Sequence, residues 1–273
     1  MKLSFCLSIA FPLFVLAACS TSPLGRKRID FIPDSQMNAM GAQSFQQLQS
    51  QANIDRDPRV NAYVQCVAVP ITQATKDEIQ VEKWDIKVFK DDKTINAFAL
   101  PGGEIGVYSG IFQVAKTPAQ LATVIAHEVG HVVAKHGGER VSESLATQGG
   151  LTVIDAFLKG TASPGVSSAI VGALGLGAQF GVMLPFSRTQ ESEADLLGQQ
   201  LMAKAGFDPQ ESVTLWQNMI SATQGKEPPA LMSDHPASSA RVEALQGNLP
   251  QTTPLYQQAK ANGLNPQCGS PPH

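Results

Sequence analysis

The sequence is poor in charge. Asp, Glu, Lys and Arg make up 16% of its 273 residues, against about 25% in an average soluble domain. What charge there is sums to −3, and the longest basic cluster is Arg26-Lys27-Arg28. Without a basic face the chain has no electrostatic means of holding a phosphate backbone, which excludes nucleic acid as a partner. No period of about 20–50 residues recurs, which excludes a solenoid. Hydrophobic residues, by contrast, make up 43%, enough to fill a core. That share excludes a disordered or collagen-like chain.

The N-terminus carries the first long apolar run. Lys2 precedes the uncharged stretch from Leu3 to Leu16. This is the length of a signal-peptide core and short of the roughly 20 residues needed to span a bilayer. Leu16-Ala17-Ala18-Cys19 follows and resembles a bacterial lipobox, cut before an acylated Cys19. The expected organisation is a lipoprotein signal peptide over 1–18, a lipidated polar tether over 19–35, one domain over 36–248 and a tail over 249–273. Ser20 stands where an inner-membrane retention signal would place Asp. By resemblance this implies sorting to the outer membrane, facing the periplasm. With Cys6 removed and Cys19 acylated, Cys66 and Cys268 remain as a disulfide pair for an oxidising compartment.

Helical periodicity predicts helices over about 35–51 and 58–75, the second with Pro70 as a kink or break. Trp84, Ile86 and Val88 alternate with polar residues as a half-buried strand does. Residues 95–100 and 104–108 flank Pro101-Gly102-Gly103 as a hairpin. The remainder reads as mostly helical. The fold class is therefore α+β: a mainly helical domain with a small antiparallel sheet.

The chemistry lies on the helix that Thr117-Pro118-Ala119-Gln120 opens with a capping box and a first-turn proline. It contains His127-Glu128-Val129-Gly130-His131. Residues four apart lie one turn apart on one helix face, so His127 and His131 can share one Zn²⁺. Glu128 sits beside them, placed to take a proton from an attacking water. A catalytic zinc needs a third protein ligand. Gly137 stands where one zinc-protease pattern has a third histidine, so that pattern is excluded. On a helix continuing to about Thr147, His136 is rotated about 140° from His131 and is a poor ligand. Glu191-Ser192-Glu193-Ala194-Asp195 supplies a carboxylate. Glu191 can bind metal while Asp195, one turn on, accepts from a ligand imidazole; Glu193 is the alternative ligand.

These motifs resemble the HtpX/BepA/LoiP group of zinc metallopeptidases, which includes the CaaX prenyl protease and the mitochondrial Oma-type proteases. The matches run through Gly25-Arg26-Lys27, Met40-Gly41-Ala42-Gln43, Asn96-Ala97-Phe98-Ala99, Pro101-Gly102-Gly103 and His127 to His131. They continue through Ser187-Arg188, Glu191 to Asp195, Ala205-Gly206-Phe207, His235-Pro236 and Arg241. The resemblance implies one Zn²⁺ per chain on His127, His131 and Glu191, with Asp195 orienting a ligand. It also places His235 and Arg241 as groups that steady the tetrahedral intermediate; unliganded, His235 can instead swing onto the metal and block it. The implied activity is endopeptidase action on exposed or misfolded envelope polypeptides, held along the strand edge at Asn96, Ala97, Phe98 and Ala99 by added-strand pairing. Other envelope proteases or assembly factors are expected partners beside the membrane. The other expectation is a chaperone-like lipoprotein that uses zinc for structure. Residues 160–187, without charge, read as a buried or lid-like helix near the cleft rather than a membrane span.

Overall fold

The computed structural model describes residues 19–158, 174, 186–222, 230–236 and 238–272. The signal peptide, most of 160–187 and the Pro228-Pro229 loop lie outside the described residues. Two short strands, β1 (Cys19–Thr21) and β2 (Lys27–Ile29), pair antiparallel. Helices α1 (Asp34–Gln51) and α2 (Pro58–Gln73) follow. Asp57 caps α2 by accepting from the Arg59 N–H at 2.8 Å, and Pro58 takes the first turn, where its missing N–H costs nothing. Pro70 lies within the last turn and does not end the helix.

Strands β3 (Asp85–Phe89), β4 (Ala97–Leu100) and β5 (Glu104–Tyr108) form a sheet in the order β3-β5-β4. The β4–β5 hairpin is antiparallel, as its turn implies. Gly102 and Gly103 both have φ of +106°, which side-chain-bearing residues resist. β3 runs parallel to β5, so the sheet is mixed. A parallel pair needs a long crossover rather than a tight turn, and residues 90–103, hairpin strand included, provide it.

Both faces of this sheet are covered. Ile86, Val88, Ala99, Ile105 and Val107 belong to the main core. Phe89, Phe98, Leu100 and Tyr108 face the other way and pack with Phe45 and Leu48 of α1. Phe45 meets Phe89 and Phe98 edge-on at 6.2 and 6.1 Å, a favoured aromatic geometry. Each such fully buried side chain contributes about 1.5–3 kcal/mol.

The C-terminal half is helical: α3 (Pro118–Val133), α4 (His136–Leu158), α5 (Arg188–Lys204), α6 (Gln210–Ala222), α7 (Ala230–Asp234) and α8 (Ser239–Ala261). Among the described residues no helix is long and apolar enough to cross a membrane. Three sequence expectations change here. The helix carrying the histidine pair does not run on to Thr147. It breaks at Lys135, whose φ is +54°, so α4 restarts in a new direction. The segment 19–35 is not a free tether: β1 and β2 dock it on the domain, and Arg26 reaches Glu139 and Glu193. Residues 249–261 are not a loose tail but the second half of α8, which continues past Pro250 and Pro254. Asn248, donating to Gln199 Oε1 at 2.8 Å, pins that helix to α5. Cys66 and Cys268 are disulfide-bonded and fasten the last residues to α2.

Candidate metal centre

The site is made by α3 lying against α5 at unusually close range. A Cβ on Gly130 would stand 2.8 Å from Ala194 O, and one on Gly198 would stand 2.9 Å from Ala126 and His127 backbone atoms. Glycine at both positions therefore lets the two helix backbones touch. Thr117 caps α3 by accepting from the Gln120 N–H, and the Lys116 N–H donates to Gln120 Oε1. Ser187 and Gln190 form the corresponding capping box on α5. Both helices thus start at fixed points, and their facing turns carry His127 and His131 on one side, Glu191 and Asp195 on the other.

His127, His131, Glu191 and His235 converge so that one donor atom of each lies within 4.8 Å of the others. The two histidine Nε2 atoms are 3.1 Å apart. Glu191 oxygens lie 3.4 Å from His127 Nε2 and 3.5 Å from His131 Nε2. His235 Nδ1 is 2.8 Å from Glu191 Oε1 and 3.3 Å from His127 Nε2. Tetrahedral zinc with bonds of about 2.0–2.1 Å separates its donors by roughly 3.3–3.4 Å. The donor types and spacings therefore fit one such ion. All four residues are buried, at 2–5% exposure. So much imidazole and carboxylate taken out of water needs a partner for its lone pairs.

Burial and the neighbouring charges act on each donor separately. Burial works against ionisation of Glu191, but His235, His127 and His131 outweigh it and hold the carboxyl well below its usual range. Burial would likewise lower His127, but Asp195 and Glu191 raise it to about 9. His131 is driven well down by burial. Burial pushes the Glu128 carboxyl up, partly offset by His235 and His127. Glu128 Oε1 is buried without a hydrogen-bond partner, 3.5 Å from His235 Nε2. A carboxyl of this kind beside a metal position is the form a general base takes.

The remaining expected residues fall as follows. Asp195 Oδ1 lies 3.0 Å from His127 Nδ1, the nitrogen turned away from the metal position. Arg241, expected to face a reacting carbonyl, is instead engaged elsewhere. It grips Asp195 with two donors at 2.6 and 2.7 Å, sits 2.7 Å from Glu191 Oε2 and lies over the Trp216 ring. With those donors committed it positions the carboxylates rather than reaching outward. Glu193 points away from the metal group and meets His136 and Arg26. Asn96, Ala97, Phe98 and Ala99 are buried, so their side chains are not exposed to a peptide, and the Leu231 N–H of α7 already donates to the Ile95 carbonyl just before β4. The Asn96 carbonyl accepts from Tyr108 N–H on the β5 side, while Ala97 N–H turns to the Asn96 side chain. Ladder alternation then directs the backbone groups of Ala97 and Ala99 to the outer edge.

Two aromatic neighbours carry no signal in the sequence. Phe186 stacks on His235 at 5.1 Å and lies 4.0 Å from His131. Trp216 meets His127 edge-on at 5.9 Å. Neither aromatic has any local signature of a site. His136 was set aside as a ligand by helical rotation. It is indeed outside the metal group, but the break at Lys135 brings its Nδ1 to 2.9 Å from His131 Nδ1.

Comparison with known proteins gives the family. The pattern of peptidase family M48 matches residues 56–249. The chain belongs to peptidase family M48. It is 39% identical over 171 residues to the mitochondrial metalloendopeptidase OMA1 of Schizosaccharomyces pombe, covering 62% of this chain and 48% of the relative. It is 30% identical over 189 residues to OMA1 of Saccharomyces cerevisiae, covering 67% and 52%. It is 27% identical over 252 residues to the beta-barrel assembly-enhancing protease of Escherichia coli K12, covering 91% and 51%. The chain thus spans about half the length of these relatives.

Proposed function

We propose that the protein is a zinc endopeptidase that cleaves exposed segments of misfolded envelope polypeptides, and that the conformation described is its closed state. The observation that carries this is the four-donor group, spaced for one ion, with Glu128 Oε1 buried beside it and free of hydrogen bonds. Zinc bound there supplies Lewis acidity to the scissile carbonyl and to the attacking water. An extended peptide pairs with the outer edge of β4, which only an unfolded segment can do. Glu128 takes the proton of the attacking water and returns it to the leaving amine. His235 withdraws from its place against Glu191 to admit the carbonyl, then turns a nitrogen toward the developing oxyanion. Arg241 and Asp195 keep Glu191 and His127 in place throughout. Acylation of Cys19 and an outer-membrane, periplasm-facing location complete the proposal; the lipobox supports the first and Ser20 the second.

The decisive comparison is digestion of an unfolded protein such as casein by wild type and Glu128→Gln at matched zinc. The variant should keep zinc and lose activity by several orders of magnitude; Glu191→Gln should lose both. A second reading, a chaperone-like protein with a structural zinc, is favoured by one feature: His235 gives the ion four protein donors, as structural sites have. Equal digestion, or none, by wild type and Glu128→Gln would support that reading and sink the first.

A further inference from the structure

We infer that His136, Glu193 and Arg26 form a second positioning chain, which holds His131 toward the metal as Asp195 and Arg241 hold His127. This rests on the proposed metal site and adds residues to it. His131 directs Nε2 into the donor group, so its Nδ1 carries the proton and faces outward. His136 Nδ1 lies 2.9 Å away and accepts it. That leaves the proton of His136 on Nε2, which lies 3.2 Å from Glu193 Oε2 and donates to it. Arg26 Nε–H donates to the same oxygen at 2.9 Å, and its two terminal nitrogens grip Glu139 at 2.6 Å each. Gln190, in the first turn of α5, donates to Glu139 as well.

The two chains have the same logic. On one side the order is His127, Asp195, Arg241; on the other it is His131, His136, Glu193, Arg26. Both end in an arginine: Arg241 grips Asp195 with two bonds, whereas Arg26 gives Glu193 one bond through Nε and is itself fixed by paired bonds to Glu139. The second is longer by one imidazole because Glu193 stands two residues from Glu191 and faces away from the donor group. His136 fills that gap, and it can do so only because the chain breaks at Lys135. Its burial is complete, and a buried imidazole with both nitrogens paired has no freedom to turn. Such outer contacts set the tautomer and direction of a ligand histidine.

Arg26 gives the chain an unexpected origin. It lies beside the turn between β1 and β2, where Ser22 N–H donates to the Arg26 carbonyl and Arg26 N–H to Ser22 Oγ. The N-terminal hairpin is therefore a working part of the metal centre. Loosening it should loosen His131.

The test uses the full-length protein and reads metal directly. Zinc affinity is measured by chelator competition, and Co²⁺ is substituted to report ligand geometry in its visible spectrum. His136→Leu keeps bulk but removes both hydrogen bonds; it should weaken zinc about 10–100-fold and shift the Co²⁺ bands. His136→Gln, with an acceptor for His131 and donors for Glu193, should recover much of that loss. Arg26→Gln, at the partly exposed far end, should speed zinc release several-fold. It also leaves the buried Glu139 and Glu193 carboxylates without their cation and should lower the melting temperature, so the Co²⁺ bands of the folded variant are read beside the release rate. If His136→Leu does not fold, Arg26→Gln and His136→Gln alone decide the question. Unchanged affinity, release rate and Co²⁺ spectrum in the folded variants would overturn the inference while leaving the metal site standing. A wild type that binds neither ion would overturn the site, and the inference with it.

Discussion

His235 shows how much one side chain can decide. Its Nδ1 touches Glu191 and approaches His127, its Nε2 faces Glu128, and Phe186 lies flat against its ring. In this position it takes the place a substrate carbonyl needs. His235→Ala should therefore retain zinc on His127, His131 and Glu191 and raise basal cleavage of unfolded protein; rates at matched zinc check it. A fall in kcat of about 10²-fold with zinc retained would make its service to the oxyanion the dominant effect. Much of this site could be read residue by residue in the sequence. The spacings His127 to His131 and Glu191 to Asp195 each follow from one helical turn, a local rule. The contacts of Arg241 and His136 were not legible, for the opposite reason. What they touch depends on where a second helix lies and where the first one breaks, and neither is written in the spacing.

At the scale of elements, the contact between α3 and α5 sets the distance from Glu191 to the two histidines. Gly198→Ala would place a methyl 2.9 Å from the backbone of Ala126 and His127. Backbone cannot rotate out of the way, so the helices must part. The expected cost is about 1–3 kcal/mol, with a parallel loss of zinc affinity because the ligands sit on opposite helices. Gly247, in α8, has nothing within 4 Å of an added Cβ. Gly247→Ala should therefore be neutral or stabilising by up to about 1 kcal/mol. Denaturant titration and zinc binding on both variants check the pair; equal effects would contradict this account. The elements themselves were largely legible, because a cap such as Thr117 and the Pro101-Gly102-Gly103 turn act locally. The parallel pairing of β3 was not legible. It depends on which edge of the hairpin the arriving strand meets, and alternation of polar and apolar residues is blind to that.

Across the whole molecule, the first and the last of the described segments are both tied down. Arg26 binds the N-terminal hairpin to α4 and α5, and the Cys66–Cys268 bond fastens the other end to α2. Replacing both cysteines with serine should lower stability by about 2–5 kcal/mol, read as a lower melting temperature that reductant reproduces in the wild type. Unchanged melting would show that the C-terminal segment adds nothing to the core. Cys19→Ser should release the protein from membranes or leave it unprocessed, read by fractionation. Membrane recovery equal to wild type would end the acylation proposal.

The cysteine pair also imposes a schedule. Its two members are 202 residues apart, and at about 5–20 residues per second the second emerges some 10–40 s after the first. For that interval Cys66 is a lone thiol, and in an oxidising compartment it is open to capture by any other thiol it meets. The correct bond cannot close until residue 268 has arrived and α2 is in place to receive it. A product broken off before residue 268 would keep Cys66 unsealed, so the bond reports whether that far part of the chain has been made.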